Sequence, residues 1–563
     1  MLLARYSLRS RAATLFALVA TLLLWGCERP QSAEGSTANP ASKKKQQAES
    51  GDDSAGSGET FKYALSDDPE TFDTAKMSGA PEGRVAFNIF EGLLMPAETT
   101  KGADTTKDLV RPGVAEKWEV SDDGTTYTFH LREDAKWSNG EPVTSGDFLF
   151  AWKRAITPGF PADYAQLLNV IENAEAYNTG ELSDFSKVGV EAPSERKLVV
   201  ELENPTPYFL ELVAFYTFFP QPKKVVKKHG EKWTRPKNIV TNGAYDLKAY
   251  NPQQEIILEK NAKYWDAENV SIDRAKLRII KDKNAVVNAY KTGELHWTGT
   301  NLPISQITSL LMHEDYNREP MLGIYYYRIN VSEEDSPLAK PKVRRALSLA
   351  VNRESIVENV LNGLYERADS FVPTNMAAYE STTETGYDIK KARELLDEAG
   401  YPKGEGLPTV TVLYNTDKNH KLVAESIQDM WKKNLGLDIE LQNKEWKTYL
   451  EDIDNLNYQI ARAGWIGDYN DPMTFLDMWV TGNGNNDTGW SNEKYDGMIK
   501  KARATTDPDE RKKILQKAEK LLLEKGPVIP IYDLSNNMLL SSNVEGFKPH
   551  NRNIHMLKDM SLE

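Results

Sequence analysis

From Phe61 onward, short segments with a two-residue apolar period alternate with longer segments of helical period, and the alternation continues to the end of the chain. No fold built from one kind of element accommodates that order, so the class is mixed α/β. "TTYTFHL" (Thr125 to Leu131) alternates apolar and polar residues after the turn "DDG" at Asp122 to Gly124, and reads as one arm of a hairpin. "KLVVELE" (Lys197 to Glu203) and "QEIILEKN" (Gln254 to Asn261) read as further strands. In "DIKKARELLDEAG", Asp388 is placed to cap a helix whose apolar face carries Ile389, Ala392, Leu395, Leu396 and Ala399, and Gly400 suits its end. In "DPDERKKILQKAEKLLLEKG", Asp507 caps, Pro508 fits the first turn, Glu510 is placed for a capping box and Gly526 stops the helix. "VRRALSLAVNRESIVENVLNG" predicts another helical region closing at Gly363. There is no internal repeat and no heptad array.

The chain has 563 residues, 40% of them hydrophobic, enough for a large core and for more than one domain. Its formal charge of -14 argues against nucleic acid as a partner, because phosphate binding needs a basic face. The first residues differ from the rest. Arg5, Arg9 and Arg11 precede a mainly apolar run from Ala12 to Trp25, which reads as a secretory signal and is short for a membrane span. The run ends "LLLWGCERP", in which Leu24, Gly26 and Cys27 resemble a bacterial lipobox, with Trp25 larger than usual at its position. Cys27 is the single cysteine, so no intramolecular disulfide can form. The resemblance implies removal of residues 1–26 and acylation of Cys27, an anchor that needs more than one acyl chain to hold stably. Residues 28–59 are rich in Ser, Gly, Ala, Gln and charge and lack aromatics, so together with Cys27 they form a tether, segment 27–59, spanning roughly 30 Å as a coil.

Catalytic signatures are missing. The sequence contains no G-x-S-x-G, no G-x-x-x-x-G-K-[ST], no H-E-x-x-H and no complete G-x-G-x-x-G. A cysteine nucleophile or thiolate metal site is excluded for the body by the position of Cys27, and the seven histidines are scattered. "DYNDPMTFLDMW" starts like a calcium loop, but Met473 stands where the turn needs Gly and Trp479 where the bidentate Glu belongs. The expectation is a protein that is not an enzyme and carries no cofactor and no metal.

"ARAGWIGDYNDPMTFL" (Ala461 to Leu476) places Asp468 among small and aromatic residues. A carboxylate in such company needs a partner: a structural cation, a metal, a substrate or a cationic ligand group. A turn or capping aspartate ahead of Asn470-Asp471-Pro472 is the plain alternative. If Arg462 to Ile466 is extended, Arg462, Gly464 and Ile466 face one way and Trp465 the other, and Gly464 lets another backbone come close.

"LVRPGVAEKWEVSDDGTTYTFHLREDAKWSNGEPVTSGDFLFAWKRA" (Leu109 to Ala155) resembles the signature of the bacterial extracellular solute-binding proteins of family 5, the large receptors of ABC importers for peptides and nickel. Pro112, Ala115, Trp118, Asp123-Gly124, Leu131-Arg132, Trp137, Gly140-Glu141-Pro142 and Asp147-Phe148 carry the match. "EKWTRPKNIVTNGAY", "YNTDKNHKL", "NKEWKTYL" and the 461–476 stretch resemble its oligopeptide-binding branch. The resemblance covers Phe61 to Glu563. It implies a three-lobed periplasmic-binding-protein-like fold: lobe I at 60–90, 220–322 and 536–563, lobe II at 91–219, lobe III at 323–535, closing by a hinge on ligand held between lobes I and III.

The same resemblance implies the site. Asp468 would take the ammonium of an oligopeptide, Trp446 and Trp465 would wall side-chain pockets, and His420 and Arg462 would meet the peptide carboxylate. Gly464 and Ile466 would lie along the ligand, Ser78, Gly79 and Ala80 would meet its backbone, and Tyr164 would touch it from lobe II. It further implies an ABC permease as partner, a monomer, and a periplasmic or cell-surface place on a bacterial membrane, held by lipid at Cys27. Close relatives often carry a glutamate at Ser78 and a lysine at Leu361, and the resemblance implies that a relative's disulfide pair is replaced together here, by Gly323 and Ile466. Another solute on the same fold (a cell-wall peptide, nickel chelate, haem or oligosaccharide), a peptidase, and a chaperone-like holder are the other readings.

Overall fold

The computed structural model describes residues 60–98, 109–299, 301–376 and 378–563, the Lys447 side chain excepted. The signal, Cys27 and the tether lie outside the described residues. Three larger sheets organise the rest. In the first, Thr60–Leu65 pairs in parallel with Arg274–Ile279, followed by Glu255–Lys260 and Tyr245–Asn251 in antiparallel. The second is antiparallel, ordered Ala115–Val120, Thr126–Leu131, Lys197–Glu201 and Val190–Ser194. The hairpin arm expected at 125–131 and the strands expected at 197–203 and 254–261 are all present, with ends shifted by one or two residues.

The third sheet is mixed, with six strands. Two long ones, Tyr316–Ile329 and Val528–Leu539, run antiparallel from Tyr316 opposite Leu539 to Arg328 opposite Val528. Their register slips between Pro320 and Ile324, where proline removes a ladder donor. At one end Leu540 bridges to Trp297, which bridges in turn to Tyr63 in the first sheet. At the other end the strand Ile460–Ile466 pairs with 316–329, and Val410–Asn415 and Ile439–Lys444 continue the sheet in parallel. This long pair therefore joins the neighbourhoods of the two sheets.

Tryptophans mark the cores. Trp137, Trp152, Trp233, Trp297, Trp431 and Trp479 are nearly or fully buried. A buried indole usually finds a partner for its N–H, although among the described residues Trp479 Nε1 has none. Trp152 donates to the Phe218 carbonyl at 2.8 Å and Trp431 to that of Leu347 at 2.9 Å. Buried Asp73 takes a bidentate Arg154 at 2.7 and 2.6 Å and also accepts from Gln221 and Trp233, tying three distant segments together.

Helix ends follow the sequence in part. Asp388 accepts the Lys391 N–H at 2.9 Å and starts Ile389–Glu398, and Gly400 lies at φ 94° past its end. Asp507 accepts the Glu510 N–H at 2.7 Å and starts Pro508–Lys525. The Glu510 side chain does not close the expected capping box; it pairs with Lys501 at 2.8 Å, which offers a full charge instead of a backbone donor. The helical region expected up to Gly363 is broken after Pro341–Leu349. Asn352 caps the Ser355 N–H and starts a second, short helix that runs into a wider π turn at Ile356–Val360. Among the described residues, no helix is long and apolar enough to cross a membrane.

Candidate ligand-binding site

The strand Ile460–Ile466 leaves one edge open. On one side it pairs with 316–329 along its whole length. On the other, pairing with 410–415 covers Ile460 and Ala461 and then stops. The Gly467 N–H donates to Leu322 of the long strand at 2.7 Å, and successive residues of a strand point their amides to opposite sides. The amides of Arg462, Gly464 and Ile466 therefore face the open edge. Gly464 and Ile466 are exposed, as the expected alternation requires, and Trp465 is half-buried against the core. Gly464 and Ile466 thus offer backbone hydrogen-bonding groups, while Arg462 offers its N–H, its carbonyl being taken by the Tyr449 hydroxyl.

Past one end of this strand stands Asp468. Burial pushes its carboxyl up to about 7 against the opposing pull of Arg552 and of the neighbouring Tyr164 hydroxyl. Among the described residues it makes no ion pair. Arg552 instead donates to the Asp468 carbonyl at 2.8 Å and pairs with Glu211 at 3.5 Å. Tyr164 packs edge-on against Phe215 and Tyr216. Tyr216 senses Tyr164, Asp468 and Glu82, and sits beside Gly83 of the helix Ala80–Ile89. Ser78, Gly79 and Ala80 form the start of that helix, with Ser78 and Ala80 exposed. A Cβ at Gly79 would stand 2.0 Å from the Glu82 carboxylate, which itself accepts the Glu70 N–H at 2.5 Å, so a side chain there would have to displace Glu82. Asp468, Tyr164 and the 78–80 turn are thus brought into one neighbourhood.

Toward the other end stand Arg462 and His420. Arg462 donates to His420 Nε2 through Nε at 3.0 Å and Nη2 at 2.6 Å. An acceptor Nε2 leaves the proton on Nδ1, 3.3 Å from the Tyr325 hydroxyl. Burial, and then the Arg462 charge, lower His420 to about 4, so at neutral pH it is an uncharged support for the guanidinium. Behind them Tyr325, Tyr532 and Tyr365 stack at 4.5 Å spacings. Trp446 is 49% exposed and stacks on Tyr449 at 5.4 Å. Gly323 and Ile466 are direct cross-strand partners. Leu361 is fully buried among apolar side chains. Among the described residues, no group of three or more His, Cys, Asp or Glu is placed to hold a metal.

The model of the bacterial extracellular solute-binding proteins, family 5 (its Middle region), matches residues 110–487. The chain belongs to this family. It is 38% identical over 501 residues to the oligopeptide-binding protein OppA of Bacillus subtilis, covering 86% of this chain and 90% of that one. Among solved structures it resembles the murein tripeptide binding protein MppA of Escherichia coli, at TM-score 0.78 and 32% identity over 90% of this chain and 99% of that one. It also resembles Haemophilus influenzae OppA in complex with the peptide RPPGFSPFR, at TM-score 0.77 and 33% identity over the same shares. The mixed α/β fold of this receptor is the fold of those periplasmic peptide-binding proteins.

Sequence reasoning missed Glu211, Tyr216, Tyr325, Tyr449 and Arg552. Tyr449 was within reach, three residues after Trp446 on the helix Trp446–Asp454. Arg552 carries no local signal, since its partners lie 84 or more residues away.

Proposed function

We propose that this receptor captures oligopeptides by adding them as a strand to the open edge at 462–466, with the peptide ammonium on Asp468 and its carboxylate toward Arg462. The open edge, with an acid beyond one end and a guanidinium near the other, carries this reading. A receptor for many sequences relies on what all peptides share, their backbone amides and charged termini. From Arg462 to Ile466 the strand rises about 13 Å, about four residues of extended ligand, at roughly 3.3 Å per residue. The exposed Trp446 and half-buried Trp465 would border side-chain pockets, where water adapts the fit. Lobes I, II and III then correspond to the neighbourhoods of the first, second and third sheets. The long pair 316–329 and 528–539 would supply the hinge, with its register slip at 320–324 as the flexing point. The captured peptide would pass intact to an ABC permease, from a receptor held by lipid at Cys27 on the periplasmic or cell-surface face of its membrane.

Mass spectrometry of ligand carried through purification tests this. Short peptides of mixed sequence are expected. A haem, a metal chelate or a sugar in their place would overturn the assignment, and accumulation of cleavage products during long incubation with peptide would indicate a peptidase.

A further inference from the structure

The loop that carries Asp468 is held, residue by residue, by two other parts of the chain. Arg552, in the C-terminal tail, donates through Nη1 to the Asp468 carbonyl at 2.8 Å. The Tyr469 ring stacks on Tyr208 with centroids 4.3 Å apart and planes 9° apart. The Asn470 N–H donates to Glu211 at 2.9 Å, on the helix Phe209–Val213 that follows Tyr208. Arg552 closes the ring by pairing with the same Glu211 oxygen at 3.5 Å. The Glu211 and Arg552 side chains are 1% and 5% exposed. Among the described residues, Glu211 Oε1 and Arg552 Nε have no hydrogen-bond partner.

Two physical points give this arrangement a function. First, a buried ion pair with unsatisfied atoms contributes little stability by itself, because desolvation offsets its Coulomb attraction. Second, burial pushes Asp468 and Glu211 both up to about 7, and once both are ionised, Asp468, Glu211 and Arg552 together carry one more negative charge than positive. Asp471, which also faces Glu211, is already matched by a bidentate Arg511 at 2.7 and 2.9 Å. A cation arriving at Asp468 brings the three-residue group to neutrality.

We propose that Glu211 and Arg552 are positioning residues for ligand capture: they latch the 468–470 loop to the 208–213 segment and to the C-terminal tail, and the latch gains strength when an ammonium occupies Asp468. The proposal rests on the peptide-binding reading above. Neither residue touches the ligand; both act through the Asp468 loop, so their effect falls on how long the peptide stays.

The test is stopped-flow binding of a fluorescent tetrapeptide with a free N-terminus to the full receptor and to Glu211→Gln, Arg552→Met and Arg552→Lys. Glu211→Gln keeps an acceptor for the Asn470 N–H and guards against misfolding. Glu211→Gln and Arg552→Met are expected to raise the dissociation rate by about tenfold or more while association changes less than about threefold. Arg552→Lys is expected to recover part of the loss. Removing either charge leaves its buried partner uncompensated, so the unliganded variants are expected to melt below the parent, and the rise produced by peptide should shrink as well. Parent-like dissociation from both variants would overturn the latch and leave peptide capture standing. So would a fall in unliganded melting temperature with no change in release, the mark of a purely structural pair. Failure of the parent itself to bind the peptide would overturn the peptide reading and the latch with it.

Discussion

In the proposed reading Asp468 sets the chemistry at the scale of single residues, and its environment makes a pH prediction. Burial holds its carboxyl at about 7, so below that pH a peptide ammonium must displace a proton before it can bind. A free peptide amine loses its own proton above about 7.7–8.0. Affinity for peptides with a free N-terminus should therefore rise through pH 7, peak near 7–8 and fall beyond, being about tenfold weaker at pH 6 than at the peak. Calorimetry in buffers of different ionisation enthalpy should show proton release on binding at pH 6, and Asp468→Asn should remove the larger part of it, Glu211 being the other carboxyl of the group that burial holds at about 7; an unchanged profile in the variant would contradict the role. A second residue-scale prediction concerns Asp471 and Arg511, whose side chains are 3% and 8% exposed. Removing one member of a buried pair leaves an uncompensated charge, so Arg511→Met should cost about 3–5 kcal/mol in a denaturant titration. Asp468, Tyr164 and the 78–80 turn, which the structure brings into one neighbourhood, could be named from the sequence because each sits in a contiguous motif. Glu211 and Arg552 could not, because their meaning comes from contacts across 259 and 84 residues of chain.

Among the elements, the open edge of 460–466 carries the account, and proline tests it. The Gly464 N–H points to the open side, so Gly464→Pro removes no internal ladder bond, and edge positions tolerate proline. Stability should change by less than about 1 kcal/mol, while peptide affinity should fall by about 0.5–1.5 kcal/mol for one lost backbone bond. A thermal melt and a titration on the same sample separate the two, and a variant that binds as tightly as the parent would count against strand addition. Strand and helix positions were readable here because period and capping residues are local: Asp388 and Asp507 sit at the starts they signal. The break at 350–352 was not, since the residues on both sides keep a helical pattern and the interruption comes from Asn352 turning back on Ser355. The pairing of Gly323 with Ile466 leaves no trace in period or composition, and it was expected only because the resemblance put a relative's disulfide at these two positions.

For the molecule as a whole, the alternation of periods gave the mixed class, and the 109–155 motif gave the family. Neither composition nor period showed that a long strand pair would join the first and third sheets, because strand pairing across hundreds of residues leaves no local trace. The whole-molecule account is that one terminal charge of the ligand completes a buried site and so selects free peptides. The most direct test is a calorimetric titration of one tetrapeptide with its N-terminus free and then acetylated, at pH 7.5. The account predicts that acetylation costs about 2–5 kcal/mol of affinity, the loss of one partner from a desolvated charge pair. Equal affinity for the two peptides would contradict it.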